Sequence, residues 1–128
     1  HRQNLGDGIL IKDNHIKTLS LKGLSLSEVV EKAHMNAAHT IKVEVEVESL
    51  EQVTECLDAG AEIILLDNMS PEIMKQAVKL CKGKAITEAS GGINLNSVKS
   101  AADSGVDLIS IGALTHSAPD LDLSLDID

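Results

Sequence analysis

Short apolar segments recur along this chain at a nearly constant interval, and each is followed by a pattern typical of a helix. From residue 41 onward the segments start at residues 41, 62, 84 and 106, which are about 21 to 23 residues apart. That interval is typical of βα units, in which a helix returns the chain so that successive strands run parallel. The sequence therefore predicts an α/β fold with a parallel sheet.

Five central strands are predicted, over the ranges 8–13, 41–47, 62–67, 84–88 and 106–111. Helix starts are indicated by residues that favour N-caps, and most helix ends by glycine. The predicted helices run from Ser25 to about Ala38, Ser49 to Gly60, Ser70 to Gly83 and Asn94 to Gly105. The tail 121–127 alternates apolar and polar residues, which predicts an edge strand or a segment lying over the surface.

Five strands are fewer than the eight of a closed TIM barrel. The predicted architecture is therefore a partial (β/α) TIM-like barrel with parallel strands, incomplete in this chain or closed by something absent from it. The chain opens with His1-Arg2 rather than Met, and we expect an N-terminal part to be missing.

Composition limits the classes of partner. The 128 residues contain no Phe, Tyr or Trp and carry a net charge of −9, which argues against nucleic acid or an anionic membrane as a partner. No apolar run is long enough to span a bilayer. Cys56 and Cys81 fall within predicted helices, which favours reduced thiols and a cytoplasmic location over a disulfide framework.

Two strand-to-helix loops have the composition of a phosphate site. Ser90-Gly91-Gly92 follows one predicted strand and precedes a predicted helix start, and Gly112 follows the next strand. Glycine allows backbone N–H groups to approach an anion, and a helix N-terminus adds further donors. Either loop alone is better explained as a tight turn or a strand-end bend. The pair favours a phosphate site, because TIM barrels hold phosphate with their last two loops.

Charged residues stand at the other strand ends. Alternation over residues 42–48 places Val43 and its neighbours on one face and Glu44 and Glu46 on the other, which in a barrel is the lumen. Asp67 ends a fully apolar strand, and Lys12 occupies the same place on the first strand. These residues predict a polar mouth with carboxylates suited to Mg²⁺ or sugar hydroxyls, and a cation suited to a carboxylate or phosphate.

Arg2 is the single arginine of the chain, and its fork of donors is suited to carboxylates. A terminal arginine can equally be solvated, and the residues alone leave both readings open. His34 lies on an apolar-striped predicted helix and reads as a structural or surface histidine.

Six short blocks, taken together, resemble the quinolinate phosphoribosyltransferases, the nicotinate-nucleotide pyrophosphorylases of NAD biosynthesis. The resemblance runs from the first residue to the last in matching order and spacing. The blocks are His1-Arg2, residues 10–15 (LIKDNH), 43–46 (VEVE), 65–68 (LLDN), 88–93 (EASGGI) and 112–117 (GALTHS).

The resemblance implies a reaction. The family joins quinolinate to phosphoribosyl pyrophosphate with Mg²⁺ and releases the 2-carboxylate as CO2, giving nicotinate mononucleotide and pyrophosphate. It also implies a homodimer, because family members take a basic residue of the active site from the partner subunit.

The resemblance also implies roles for residues matched by motif. His1, Arg2 and Lys12 would hold the quinolinate carboxylates, with Lys12 also near the pyrophosphate. Glu46 and Asp67 would face the ribose hydroxyls and Mg²⁺, with Lys12, Glu46 and Asp67 as the catalytic set. The 5′-phosphate would be surrounded by Ser90, Gly91, Gly92, Gly112 and His116.

The family also has parts that these 128 residues do not contain, namely an N-terminal sandwich domain and a first barrel segment rich in Arg and Lys. Residues 1–128 are therefore expected to be the C-terminal part of the barrel domain, and to be inactive alone. Two alternatives stay open. One is a non-catalytic partial barrel that binds a sugar phosphate, and the other is a related phosphoribosyl-handling barrel enzyme with another base.

Overall fold

The computed structural model of the chain describes residues 6–115. Its strands are β1 (Ile9–Ile11), β2 (Val43–Val47), β3 (Ile63–Asp67), β4 (Ile86–Ser90) and β5 (Leu108–Ile109). Its α-helices are α1 (Asp13–Ser20), α2 (Leu26–Asn36), α3 (Leu50–Asp58), α4 (Pro71–Cys81) and α5 (Val98–Asp103), and a 3₁₀ helix follows at Gly112–Leu114. The predicted tail strand at 121–127 lies outside the described residues.

The five strands form one sheet in the order β1-β2-β3-β4-β5, and every neighbouring pair is parallel. This arrangement confirms the predicted α/β fold and the open, partial barrel. Within the described range, β1 and β5 each pair with a single neighbouring strand. The carboxyl ends of all five strands therefore meet at one edge of the sheet.

Helices α2, α3 and α4 begin where the predicted caps stand. Ser25 Oγ accepts from Glu28 N at 3.3 Å, and Glu28 Oε2 accepts from Ser25 N at 2.7 Å, which completes the capping box. Ser49 and Ser70 cap α3 and α4 through their side chains, and Pro71 occupies the first turn of α4. These interactions are local, which is why they could be predicted.

The core lies between the sheet and the helices and contains no aromatic residue. Val43, Val45 and Val47 are fully buried on the helix-facing side of β2, together with Ile64 and Leu66 of β3. The free thiols of Cys56 and Cys81 are buried in the same core. Within the described residues, no helix is long and apolar enough to cross a membrane.

Several elements differ from the predictions, and the differences at α1, β4 and β5 lie close to the site. Helix α1 was not predicted, because it begins at Lys12 without a Ser, Thr or Asp cap; His15 Nδ1 accepts from Lys12 N at 3.1 Å instead. Strand β4 ends at Ser90 rather than Glu88, so its last residue is already part of the site. Strand β5 keeps only two residues of the predicted range 106–111.

A side-chain latch holds the short β5 against β4. Thr87 donates to Asp107 Oδ2 from both its backbone N and its hydroxyl, each at 2.8 Å, and Asp107 N donates to Thr87 Oγ1 at 3.1 Å. These hydrogen bonds lower the pKa of Asp107. The latch compensates for the small number of ladder bonds.

Candidate active site

Four of the predicted site residues stand at the carboxyl edge of the sheet, one on each of four neighbouring strands. Lys12 follows β1, Glu46 lies near the end of β2, Asp67 ends β3 and Ser90 ends β4. Asp67 and Ser90 are direct partners in the β3–β4 register. The parallel topology therefore brings together residues that are up to 78 positions apart in the chain.

Glu46 and Lys12 form an ion pair at the rim of this edge. Lys12 Nζ lies 3.8 Å from Glu46 Oε2, and Asp13 N donates to Glu46 Oε1 at 3.5 Å. The Glu46 side chain is 11% exposed, whereas that of Lys12 is 55% exposed. Burial raises the pKa of Glu46, and the charge of Asp67 adds to this effect, while Lys12 and the Asp13 N–H partly offset it.

Alternation along β2 separates apolar and acidic faces as predicted. The valines of β2 pack against the helices, and Glu44 and Glu46 point from the opposite face with intermediate exposure. The same alternation on β4 puts Glu88 on the face that carries Glu46. Ser110 Oγ donates to Glu88 Oε1 across the β4–β5 pair.

Asp67 is oriented by the next residue in the chain. Asn68 Nδ2 donates to Asp67 Oδ2 at 2.8 Å, and Asn68 N donates to Ser90 O at 3.1 Å. Ser70 caps α4, so Asp67 does not serve as the helix cap. The Asp67 carboxylate is therefore held at the carboxyl edge of the sheet.

Ser90, Gly91 and Gly92 form a turn that we call the glycine loop. Gly91 and Gly92 have φ values of +83° and +58°, a region in which side chains are strained. A Cβ at Gly91 would lie 2.4 Å from Asn68 Oδ1, so that position admits no side chain, whereas the nearest contact of a Cβ at Gly92 is 3.8 Å. Glycines in a turn allow backbone N–H groups to come close to an anion.

The structure corrects the predicted start of the helix after the glycine loop. Asn94 caps a turn, because its Oδ1 accepts from Asn96 N at 2.9 Å and its carbonyl accepts from Val98 N at 2.8 Å. The regular helix α5 begins only at Val98 and has six residues. The N-terminus of the regular helix therefore does not directly follow the glycine loop.

A cleft of about 310 Å³ borders the glycine loop. Asn68, Gly91 and Gly92 line its polar side, and Met69 and Ile93 contribute apolar surface. Gly112 begins the 3₁₀ helix after β5, on the neighbouring strand. The two loops predicted to hold phosphate are thus adjacent in the fold.

The family model for the C-terminal domain of quinolinate phosphoribosyl transferase matches residues 1–126. The chain belongs to the quinolinate phosphoribosyltransferase family. It is 44% identical over 127 residues to the probable nicotinate-nucleotide pyrophosphorylase (carboxylating) of Bacillus subtilis, which covers 99% of this chain and 43% of that protein. The chain spans less than half the length of the curated relatives it matches.

Solved structures agree with this assignment. The nicotinate-nucleotide pyrophosphorylase from Francisella tularensis superposes with a TM-score of 0.81 at 40% identity, over 90% of this chain and 39% of that one. Thiamine phosphate pyrophosphorylase from Pyrococcus furiosus has a TM-score of 0.63 at 21% identity, over 82% of this chain and 48% of that one. The second likeness concerns the fold alone.

Three residues assigned to substrate by resemblance to the quinolinate phosphoribosyltransferases, His1, Arg2 and His116, lie outside the described residues. Of the others, Lys12 and Glu46 are in contact. Asn68, which follows Asp67, contacts Ser90 of the glycine loop. His34 has the structural role predicted for it, since its Nε2 lies 3.2 Å from Gly60 O at the opposite end of the sheet.

Sequence reasoning missed the contacts of two site residues in this family member. The sequence places Asn68 in the block 65–68 and Glu88 at a strand end and in the block 88–93, and it assigns neither residue a contact. The alternation of Ile86, Glu88 and Ser90 could have placed Glu88 on the inner face. No local pattern could have indicated that Asn68 contacts Gly91, because that contact depends on the β3–β4 register.

Proposed function

We propose that the gene product containing this chain is a quinolinate phosphoribosyltransferase that acts in NAD biosynthesis. The observation that carries the proposal is the placement of Lys12, Glu46, Asp67 and the glycine loop on one edge of the sheet, in a chain that the family model matches over residues 1–126. The substrates are quinolinate and phosphoribosyl pyrophosphate, and the products are nicotinate mononucleotide, CO2 and pyrophosphate.

The 5′-phosphate of the ribose is bound by the two small-residue loops. The N–H groups of Gly91 and Gly92, with the Ser90 hydroxyl, are donors of the kind that a phosphate requires. Gly112 and His116 complete this set in our proposal. Of these groups, Gly91 and Gly92 line the cleft beside the glycine loop.

The carboxylates act on the ribose. The ring nitrogen of quinolinate forms a bond to C1′, and the bond from C1′ to the pyrophosphate oxygen breaks with its electron pair leaving on pyrophosphate. Glu46 and Asp67 stabilise the positive charge that develops at C1′. In the second stage the C2–carboxylate bond breaks, its electron pair stays on C2, and C2 takes up a proton.

In this proposal, Mg²⁺ is bound jointly by protein carboxylates and by the substrate. Within the described residues, no group of three or more His, Cys, Asp or Glu side chains is arranged to hold a metal. Mg²⁺ commonly binds through one or two carboxylates together with substrate phosphates and water. Glu46 and Asp67 would be those carboxylates, and the ion would supply charge neutralisation on the pyrophosphate.

Cations hold the two carboxylates of quinolinate. Lys12 is exposed at the site while still paired with Glu46, so it can also reach an anionic ligand or the pyrophosphate. His1 and Arg2 are the other members of this set. Because the chain carries a net charge of −9, anion binding depends on such a local cluster.

We also propose a cytoplasmic homodimer with no nucleic-acid or membrane partner. The buried free thiols of Cys56 and Cys81 support a reducing location. A lone chain of 128 residues would bind sugar phosphate weakly and turn over little, because it lacks the cationic segment of the family's barrel.

The test is a quinolinate-dependent assay of nicotinate mononucleotide and CO2, run on the full-length gene product with phosphoribosyl pyrophosphate and Mg²⁺. Formation of both products in equal amounts supports the proposal. Activity with a different base, but none with quinolinate, would assign another phosphoribosyl-handling enzyme. Saturable binding of phosphoribosyl pyrophosphate without turnover of any base would indicate a binding module.

A further inference from the structure

Asn68 occupies an unusual backbone conformation between the acid of β3 and the cap of α4. Its φ is +50°, and within residues 6–115 it is the one residue other than glycine with positive φ. Asparagine tolerates this region better than most residues, but the conformation remains uncommon. Such outliers persist where surrounding contacts fix them, and they cluster at functional sites.

The contacts that fix Asn68 reach both halves of the site. Its side-chain amide donates to Asp67 Oδ2 at 2.8 Å, which pairs a donor with an anionic acceptor. Its backbone N donates to Ser90 O at 3.1 Å. A Cβ built on Gly91 would lie 2.5 Å from Asn68 Cγ and 2.7 Å from Asn68 N, so the two backbones pack with no room for a side chain.

We propose that Asn68 is a positioning residue, which couples the orientation of the Asp67 carboxylate to the placement of the glycine loop. The inference rests on the proposed function for the role of Asp67. Because the side chain of Asn68 contacts the Asp67 carboxylate and its backbone N–H contacts Ser90 O in the glycine loop, one residue holds the group that faces the ribose at a fixed separation from the loop that faces the 5′-phosphate. The positioning contact thus sets the geometry between C1′ and the phosphate end of one substrate.

Two substitutions separate the amide from the backbone conformation. Asn68→Gly keeps the positive φ and removes the amide. Asn68→Asp keeps the size and the tolerance of positive φ, but it puts an acceptor where the donor was. The matched control is Asn36→Gly, which removes an amide that donates to Lys32 O at 2.7 Å at the end of α2, away from the site.

In the full-length gene product, we expect Asn68→Gly to lower kcat about 10- to 100-fold relative to Asn36→Gly, which is typical of outer-shell partners. Asn68→Asp should lose at least as much, because it places an acceptor against the Asp67 carboxylate where the donor was. Both variants should keep a urea midpoint close to that of Asn36→Gly. A residue that only supports folding would instead lower the midpoint together with kcat.

The proposal is overturned if kcat of either Asn68→Gly or Asn68→Asp stays within about twofold of the control. If Asn68→Gly fails to fold, kcat of Asn68→Asp and the orientation of Asp67 in its crystal structure decide. Crystal structures of the parent and Asn68→Gly separate this inference from the assigned reaction. A changed Asp67 orientation in an enzyme inactive on quinolinate supports the contact and rejects only the reaction, whereas an unchanged orientation rejects the positioning role.

Discussion

Glu46 is held in surroundings that disfavour its own charge. It is largely buried, it lies near Asp67, and its compensating partner Lys12 is more than half exposed. An environment that raises the pKa of a carboxyl is a common feature of active sites, where groups are arranged for chemistry rather than for stability. Loss of charge at this residue should therefore affect activity and stability in opposite directions.

Glu46→Gln should lower turnover by at least about 100-fold, because the carboxylate no longer stabilises positive charge at C1′. Asp67→Asn should do the same. Neither variant should change the fold, as judged by circular dichroism. Near-normal turnover in either one would contradict the role assigned to that residue.

The stability of Glu46→Gln should show the opposite trend. The pKa of Glu46 is raised above its ordinary value of 4.5, so the stability linked to its proton is present below that pH and is lost as pH rises through the raised pKa. The variant lacks this loss. Its free energy of unfolding relative to the parent should rise by up to about 1 kcal/mol between pH 4 and pH 7 in urea titrations. A constant difference across that range would show that burial does not disfavour the charge.

Gly91→Ala should weaken the binding of phosphoribosyl pyrophosphate at least about 10-fold in calorimetric titration, because the new Cβ would displace Asn68 and the glycine loop. Gly83→Ala is the matched control, since Gly83 also has positive φ, at +74°, but its Cβ would meet nothing within 4 Å. Both variants should lose some stability from backbone strain. Equal affinity in the two would indicate that the glycine loop does not bind the phosphate.

At the scale of elements, β5 depends on side chains rather than on ladder length. A strand of two residues contributes few backbone hydrogen bonds, and the latch between Thr87 and Asp107 supplies three more. Thr87 is 1% exposed, so its donors would lack a partner if the carboxylate were removed. The latch and the backbone hydrogen bond from Ser110 N to Ala89 O together hold the segment that leads to Gly112.

Asp107→Ala should lower the free energy of unfolding by about 1 kcal/mol, the lower end of the range for a lost partner because Asp107 is itself exposed. Its folded pKa is depressed, so its contribution is present above the ordinary value of 3.8 and is lost as pH falls through the folded pKa. Denaturant titrations should therefore show the two proteins converging below about pH 4. Asp103→Ala, which removes an exposed acid of α5, should show no such convergence.

Element existence was easier to predict from sequence than the contacts between elements. The caps at Ser25, Ser49 and Ser70 and the alternation of β2 are local sequence patterns. The structure confirms the helices and the strand that were predicted from them. Helix α1 was not predicted because its N-cap is Lys12, whose backbone N–H donates to the side chain of His15. The roles of Asn68 and of the pair Glu88 and Ser110 depend on which strands are neighbours and in what register, which no local pattern encodes.

At the scale of the whole molecule, the described part of the chain is a sheet with helices on one side and the other face incompletely covered. Leu108, on the inner face of β5, is 47% exposed. Within residues 6–115, the outer strands β1 and β5 each leave one edge without a strand partner. Open edges and exposed apolar side chains favour association.

The 128-residue polypeptide alone should therefore form dimers or larger species at micromolar concentration, as measured by analytical ultracentrifugation. Leu108→Lys should shift it toward the monomer by placing a charge on the inner face. Leu95→Lys is the control, since Leu95 is 93% exposed on the loop before α5. A shift caused by Leu95→Lys alone would place the contact on that loop and not on the sheet.

The two buried cysteines can report how often the helical layer opens. Burial raises the pKa of Cys56 to about 12 and that of Cys81 to about 11, so in the closed molecule almost no thiolate is available to an alkylating reagent at neutral pH. Each thiol belongs to a different helix, α3 and α4, on the same side of the sheet. The alkylation rate of each cysteine would measure how often its own helix opens. Equal rates for the two cysteines would mean that the helical layer opens as one unit.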